Sequence, residues 1–438
     1  MKRFFAYIKN MKRRNKFLLG LALWAVWGLI DVNNWQKAPL RDAAIALDIN
    51  KSGGINTVGV TASKTYFDID NDNFKERVAW LTVGDGWLAR DANNNGKIDN
   101  QNELFGDGGG LKAYQKLAAL NTNNTGTSAN IINSADSAWS SLRVWIDGNA
   151  NGVSEAAELK TLASLGITSL SLETSVGSLK STFVMNGTTH HAQDIFVATD
   201  QMDSWYKGTA SEITPLSLTL PRSRGYGDVK SLHYAASSST TLATKLQELD
   251  NLSLSGLDSY YTKLEAMIEE WTGVTTIARN SIHRFVDARH VAMMEKFSGL
   301  GAGSFMKSFD LGFTTFNPEH FIGVESGYNT VMNEFSSRFI AQGALAHVFG
   351  DPTYSFSDDK LKFSLSHTQI LANAKANVPT DATDINVYWS EVARTLLEYS
   401  SEFGLTETAM HAAITAEVGY AVTVNQPWSM VSGWHSGR

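Results

Sequence analysis

Oxygen-bearing side chains recur at alternate positions in two short segments of this chain, and each segment has a glycine at its sixth position. Residues 147–158 read DGNANGVSEAAE, and residues 91–103 read DANNNGKIDNQNE. Calcium requires six to eight hard oxygen ligands at about 2.3–2.6 Å, and a short loop supplies them from alternate residues only if it turns sharply. Glycine permits that turn because it has no Cβ. The spacing therefore predicts two calcium-binding loops.

The positions of the ligands follow from the same spacing. The predicted ligands are Asp91, Asn93, Asn95, Lys97, Asp99 and Glu103 in one loop and Asp147, Asn149, Asn151, Val153 and Glu158 in the other. Lys97 and Val153 hold position 7, which contributes a backbone carbonyl, and the closing glutamate can bind through both oxygens. The first loop departs from the pattern because Asn102 holds position 12 and Glu103 follows it. The alternative interpretation is a surface turn rich in Asn and Asp, whose side chains hydrogen-bond the local backbone.

Two partial copies of the pattern precede these loops. Their predicted ligands are Asp68, Asp70 and Asp72 in FDIDNDNF and Asp48, Asn50 and Ser52 in LDINKSGGIN. Asn73 holds the glycine position of the first copy, and asparagine tolerates the left-handed conformation that is needed there. The second copy has Gly53 in place but no acidic closing residue. A further copy at Asn121 carries almost no negative charge and is expected to be a vestigial turn.

Three long phrases occur in a fixed order: GDGWLARDANNNGKIDNQNELFGD, SSLRVWIDGNANGVSEAAELKTLASLGITSLSL and LPRSRGYGDVKSLHYAAS. In that order they resemble the iron-regulated Frp-type RTX exoproteins, a haemolysin-type calcium-binding family, in the region upstream of the nonapeptide repeats. The resemblance implies a toxin-related protein that a Gram-negative cell exports by type I secretion into millimolar calcium. The sequence contains no G-G-x-G-x-D-x-U-x repeat, which leaves open a fragment, a divergent paralogue or part of a larger gene.

Composition excludes several classes of function. The 438 residues carry a formal net charge of −7, which argues against a nucleic-acid partner because such partners favour a basic face. The absence of cysteine excludes disulfides, thiol catalysis and cysteine-ligated zinc. The sequence also lacks the H-E-x-x-H, G-x-S-x-G and G-x-x-x-x-G-K-[ST] motifs. We therefore expect no enzyme, and we expect calcium as the only cofactor.

The N-terminus combines basic residues with an uninterrupted apolar run over residues 17–30. That run suits the core of a signal peptide and is shorter than the about 20 residues that span a bilayer. A signal anchor, an uncleaved signal and translated upstream sequence stay open, as does membrane contact through residues 17–30.

Changes in pattern divide the chain into four regions. These are an N-terminal segment (1–35), an α+β calcium-loop domain (36–205), a connector (206–245) and a mostly α-helical domain (246–438). Within the second region, AELKTLASLG predicts a helix after the 147–158 loop, with Gly166 as its C-cap, so the units are expected to be EF-hand-like strand–loop–helix units. In the last region, apolar residues at helical spacing such as Val291, Met294 and Phe297 predict a core face.

These observations favour a secreted protein whose EF-hand-like loops bind calcium and so stabilise its fold outside the cell. Two alternatives stay open. One is a calcium-dependent adhesion or bacteriocin-like protein whose helical domain meets a host-cell or bacterial surface partner. The other is a secreted enzyme that acts on polysaccharide, because the separation of two carboxylates cannot be read from a sequence.

Overall fold

The computed structural model describes residues 42–106, 112–123, 130–174, 179–279, 281, 287–299, 318–425 and 427. The chain divides into two compact units between Lys207 and Gly208. We call Trp35–Lys207 the loop unit and Gly208–Arg438 the helical unit. No helix in the described stretches is both long enough and apolar enough to span a membrane. The predicted segment 1–35, with its apolar run 17–30, lies outside the described residues.

The loop unit consists mainly of short strands. In chain order they are β1 (Asp42–Leu47), β2 (Thr57–Val58), β3 (Tyr66–Phe67), β4 (Phe74–Val78), β5 (Trp80–Leu81), β6 (Gly86–Arg90), β7 (Ile131–Asn133), β8 (Leu142–Trp145), β9 (Leu159–Thr161), β10 (Ile167–Ser171), β11 (Lys180–Met185), β12 (Thr188–Val197) and β13 (Thr199–Tyr206). Among the described residues, eight strands form one antiparallel sheet in the order β7-β10-β11-β12-β1-β6-β8-β9. A smaller sheet has the order β13-β4-β3, and β2 pairs with β5.

Alternate side chains of a strand point to opposite faces of a sheet. Buried apolar residues of the large sheet fall into two clusters, one on each face. In β6, Leu88 joins one buried cluster, which also contains residues of the helix α1 (Lys112–Ala118). Trp87 joins the other cluster, together with Trp80 and Trp145. The ring centroid of Trp80 lies 5.2 Å from that of Trp87 and 5.3 Å from that of Trp145. This aromatic cluster underlies the loops that the sequence singled out.

The described part of the loop unit contains no EF-hand-like strand–loop–helix unit, so that part of the fold prediction is wrong. The residues after the 147–158 loop form β9, which pairs with β8 in the register Arg143 to Thr161, and then a single 3-10 turn over Ala163–Leu165. Pairing with a neighbouring strand overrides the local helical pattern here. Gly166 does end the turn in a left-handed conformation, with φ of 72°.

The helical unit is mostly helical, as the sequence predicted. Its helices are α2 (Pro215–Thr219), α3 (Leu232–Ser238), α4 (Thr240–Asp250), α5 (Tyr260–Thr272), α6 (Ala288–Ser298), α7 (Pro318–Ile340), α8 (Ala346–Phe349), α9 (His367–Ala376), α10 (Ala382–Glu398) and α11 (Glu407–Val418). A hairpin of β14 (Thr353–Ser355) and β15 (Lys360–Lys362) lies between α8 and α9. The residues Val291, Met294 and Phe297 of α6 are buried, as their spacing predicted.

The segment 206–245, which the sequence suggested is a connector, contains α2, α3 and the start of α4. Three of its residues are almost fully buried: Ser223, Arg224 and Tyr226 are 0%, 2% and 1% exposed. Glycines allow this close packing, since a Cβ on Gly225 would lie 1.7 Å from the carbonyl oxygen of Val229. The segment is thus part of the core of the helical unit.

Candidate metal centre

Four loops in the loop unit share one backbone geometry. They begin at Asp48, Asp68, Asp91 and Asp147, and we name each loop by that first residue. All four take the left-handed conformation at positions 4 and 6: Lys51 and Gly53 (φ 63° and 86°), Asn71 and Asn73 (62° and 74°), Asn94 and Gly96 (59° and 80°), Ala150 and Gly152 (54° and 70°). Asn73 therefore does take the conformation that glycine takes in the other loops. The two partial copies fold as the two complete ones do.

The same hydrogen bonds hold the four loops. The amide of position 5 donates to the carboxylate of position 1, at 2.9 Å in the Asp48 loop, 3.1 Å in the Asp68 and Asp91 loops and 3.2 Å in the Asp147 loop. In three loops that amide also donates to the position-3 side chain, which is Asn50, Asn93 or Asn149. The position-5 side chains Asp72, Asn95 and Asn151 accept from the position-7 amide, whereas Ser52 donates to the carbonyl of Gly54. A carboxylate or amide oxygen that accepts one such bond keeps a further lone pair.

Glu103, the predicted closing residue of the Asp91 loop, is hydrogen-bonded to the backbone of that loop. This side chain is 2% exposed, and its two oxygens accept from the amides of Ala92 at 3.2 Å and Asp99 at 2.9 Å. Asn100 caps the 3-10 turn Gln101–Glu103, which returns Glu103 to the loop. Burial opposes the charge of Asp99, but hydrogen bonds from the side chains of Asn95 and Asn100 lower its pKa below the usual value. Lys97, at position 7, is exposed.

Glu158, the predicted closing residue of the Asp147 loop, is likewise hydrogen-bonded to that loop. Its oxygens accept from the amide of Gly148 at 2.9 Å and from the indole Nε1 of Trp145 at 3.3 Å. Asp147 accepts from the indole Nε1 of Trp80 at 2.8 Å. Burial and a hydrogen bond to the carboxyl of Glu155 raise the pKa of Glu158. Val153, at position 7, is exposed.

The Asp68 loop gathers three acidic side chains that could hold a metal ion. Oxygens of Asp68, Asp70 and Glu76 all lie within 4.8 Å of one another, and Asp68 and Glu76 are 1% and 3% exposed. Burial, with the charges of Asp70 and Asp72, raises the pKa of Glu76 to about 9. Lys207 Nζ donates to Asp68 at 3.0 Å and is the basic partner of this group.

Sequence reasoning missed Glu76 and Glu155, although a signal was present. Each stands at the ninth position of its loop, where Asp99 stands in the Asp91 loop. Position 9 of a twelve-residue calcium loop often contributes a ligand through water. Asp99 was predicted at that position, and the same spacing points to Glu76 and Glu155.

Three of the loops are joined to one another. The amide of Ile98 donates to Ser154 Oγ at 2.7 Å, so the eighth residues of the Asp91 and Asp147 loops are linked. Thr65 Oγ1, just before β3, donates to the carbonyl of Ala150 at 2.7 Å. Gly152 is required there, because a Cβ would lie 2.5 Å from the carbonyl oxygen of Tyr66. The sequence gives no sign of this assembly.

The donors of these loops fit a hard divalent cation. All the side-chain donors are oxygens of Asp, Asn, Glu or Ser, which suit calcium or magnesium and not a metal that prefers nitrogen or sulfur. Burying a carboxylate without a compensating positive charge is costly, and in this group of three acids Lys207 pairs with Asp68. A bound cation would offset that cost.

This chain is similar to a family model and to a known protein. Residues 45–205 match the family model of the SPM domain. Over 244 residues the chain is 35% identical to the iron-regulated protein FrpA of Neisseria meningitidis serogroup C. That match covers 51% of this chain and 21% of the relative, so the chain matches about a fifth of the relative's length. The predicted relation to iron-regulated Frp-type proteins is confirmed over that stretch.

Proposed function

We propose that the loop unit is a calcium-binding structural module, in which bound ions neutralise clustered carboxylates and so hold the loops on the sheet. The observation that carries this proposal is the group Asp68, Asp70 and Glu76, whose oxygens lie within 4.8 Å of one another. Three carboxylates so close, of which Asp68 and Glu76 are buried, repel one another, and beyond the ion pair of Asp68 with Lys207 a shared proton or a bound cation would relieve that repulsion. Calcium accepts up to eight oxygens, including paired carboxylates, which suits this group.

The Asp147 loop supports the same role from a different direction. Its first and closing residues are tied to the aromatic core, since Trp80 donates to Asp147 and Trp145 donates to Glu158. An ion held between these two carboxylates would fix the loop and both indoles together. The loop continues into β9 of the large sheet and not into a helix, so no helix follows it that calcium could open. These contacts favour stabilisation over signalling.

The expected affinity is low. The Asp91 and Asp147 loops carry Asn at positions 3 and 5, and fewer charged ligands weaken calcium binding. We expect dissociation constants on the order of 10⁻⁵–10⁻³ M, a range that is filled only where calcium is plentiful. This range agrees with our proposal that the protein is exported and meets calcium outside the cell.

The test is calcium titration of the full chain by calorimetry, with and without Glu158→Gln. Glutamine keeps the shape of the side chain but loses the charge, so we expect one site to lose most of its affinity, and the same for Asp147→Asn. Glu173→Gln is the matched control, because Glu173 is an acid of the same unit that hydrogen-bonds Asn130 outside the loops. Magnesium should give little heat, since it demands strict octahedral geometry and releases water reluctantly.

Two results would contradict the proposal. One is a parent chain that binds no calcium at ten times the upper end of the expected range. The other is a pair of variants, Glu158→Gln and Asp147→Asn, that both titrate like the parent and like Glu173→Gln. Equal heats from calcium and magnesium would show that the loops are an acidic surface without selectivity.

A further inference from the structure

We propose that Asp85 is the acidic closing ligand of the Asp48 loop, and that the two together form a further cation site of the loop unit. The sequence of this loop offers Asp48, Asn50 and Ser52 but no closing acid of its own. The structure supplies one from a different strand connection. The inference rests on the proposed function, because it assumes that loops of this geometry bind calcium.

The first observation is that Asp85 is a buried acid with no basic partner among the described residues. The residue is 2% exposed, and neither carboxylate oxygen has a hydrogen-bond partner of ordinary geometry among the described residues. No lysine, arginine or histidine in the described part of the chain forms an ion pair with it. A carboxylate in such a position carries a desolvation cost that only a cation or a proton can remove.

The second observation is the register of the sheet, which places Asp85 beside the loop. Leu47, the last residue of β1, pairs with Gly86, the first residue of β6, and the two strands are antiparallel. The next residue of each chain segment is therefore Asp48 on one side and Asp85 on the other. The turn before β6 also touches the loop, since a Cβ on Gly84 would lie 3.2 Å from side-chain atoms of Asn50.

The charges of the two residues act on each other. Burial raises the pKa of Asp85. The backbone amides of Asn56, Asn50 and Ile49 oppose this rise, and the charge of Asp48 adds to it. Asp48 itself is 1% exposed, and its oxygens accept from the amides of Ser52 and Gly53, both at 2.9 Å. Two buried acids, Asp48 and Asp85, thus lie side by side at the start of this loop.

The other three loops show a related arrangement. In each, an antiparallel neighbour brings an acid opposite the residue that precedes position 1. Glu76 lies opposite Phe67 in the Asp68 loop, Glu103 opposite Arg90 in the Asp91 loop, and Glu158 opposite Ile146 in the Asp147 loop. Asp85 lies one residue along, opposite Asp48 itself. In all four loops, strand pairing brings an acid beside the first residues of the loop.

The test is the number of calcium ions bound by the full chain, measured by equilibrium dialysis against radioactive calcium. We expect Asp85→Asn to bind one ion fewer than the parent, and Asp48→Asn to bind one fewer as well. The double variant should lose the same single ion, because both residues belong to one site. Glu173→Gln should bind as many ions as the parent.

Melting temperatures separate a ligand from a residue that is merely structural. Without calcium, Asp85→Asn should melt at the same temperature as the parent or higher, because it removes a buried charge. With calcium, the same variant should gain less than the parent gains. A residue needed only for packing would lower the melting temperature under both conditions by the same amount, and that result would overturn the inference.

The outcomes distinguish this inference from the proposed function. If the parent binds no calcium, the proposed function fails and the inference fails with it. If the parent binds calcium but Asp85→Asn binds as many ions and gains as much stability, only the assignment of Asp85 fails. If Asp85→Asn loses one ion while Glu158→Gln still loses its own, the two sites are separate and both proposals hold.

Discussion

The two units differ in how far basic side chains neutralise their buried acids. In the helical unit, Arg338 is 0% exposed and lies 2.7 Å from Glu334 and 3.1 Å from Asp359. Arg394 likewise lies 2.9 Å from Glu391, and Arg289 lies 2.7 Å from Glu269. In the loop unit, neither oxygen of Asp85 or Asp194 has a hydrogen-bond partner among the described residues.

This difference explains why one unit should respond to calcium and the other should not. A side-chain cation such as Arg338 is present whenever the chain is folded, so the helical unit carries its own positive charge. The loop unit has an excess of buried acids that Lys207 and Arg77 balance only in part. In our proposal an external cation would supply the missing positive charge, so the stability of the loop unit would depend on the calcium concentration.

The largest expected effect is a calcium-dependent gain in stability that is confined to the loop unit. A site that is filled at 100 times its dissociation constant stabilises the folded state by about 2.7 kcal/mol, and several sites add to that. Hydrogen exchange of the full chain, with and without calcium, measures this by region. We expect slower exchange in the strands of residues 42–207 and unchanged exchange in α4 to α11. Equal slowing in both units would remove the contrast between them.

A second experiment tests whether the helical unit depends on its own basic side chains. Replacing Arg338 by Met keeps the length of the side chain but leaves the carboxylates of Glu334 and Asp359 buried without their positive partner. Removal of one member of a buried pair costs about 3–5 kcal/mol. We expect denaturant unfolding to show a loss of that size that calcium does not restore. Recovery with calcium would mean that the helical unit also binds the ion.

The smallest expected effect is a pH dependence that arises from Asp194. Burial raises the pKa of this carboxyl to about 7, against about 3.9 in an unfolded chain. The folded state holds the proton more tightly, so its contribution to stability is complete below about pH 4 and is lost as the pH rises to about 7. We expect Asp194→Asn to flatten this pH dependence in calcium-free urea unfolding, by roughly 1–2 kcal/mol. An unchanged profile would show that another group titrates.

Local sequence predicted much of the candidate site but little of its assembly. The alternation of Asp and Asn with glycine identified all four loops, because positions 4 and 6 must be left-handed and few residues tolerate that. It also singled out Glu103 and Glu158, whose oxygens accept hydrogen bonds from the backbone of their loops. It could not indicate that Ile98 bonds Ser154, since that contact joins residues far apart in the chain.

The errors in the fold prediction have the same cause. Leu162 and Gly166 suited a helix after the Asp147 loop, yet β8 offered its neighbours backbone hydrogen bonds, and Leu159–Thr161 formed a strand. Glycine and serine in LPRSRGYGD suggested a connector, but this segment packs closely against distant backbone, since a Cβ on Gly227 would lie 2.4 Å from the carbonyl oxygen of Lys296. In each case the local signal was read correctly and a long-range contact decided the structure.

The sequence by itself determined which segments turn, because turning depends on residues that follow one another: an acid, alternate oxygens and a residue that accepts a positive φ. It also determined the helical character of the second unit through the spacing of apolar residues. Only the tertiary structure decided which acid faces each loop. Strand register brings Glu76 opposite Phe67 and Asp85 opposite Asp48, and register depends on how whole strands pair, a property that no short stretch of sequence contains.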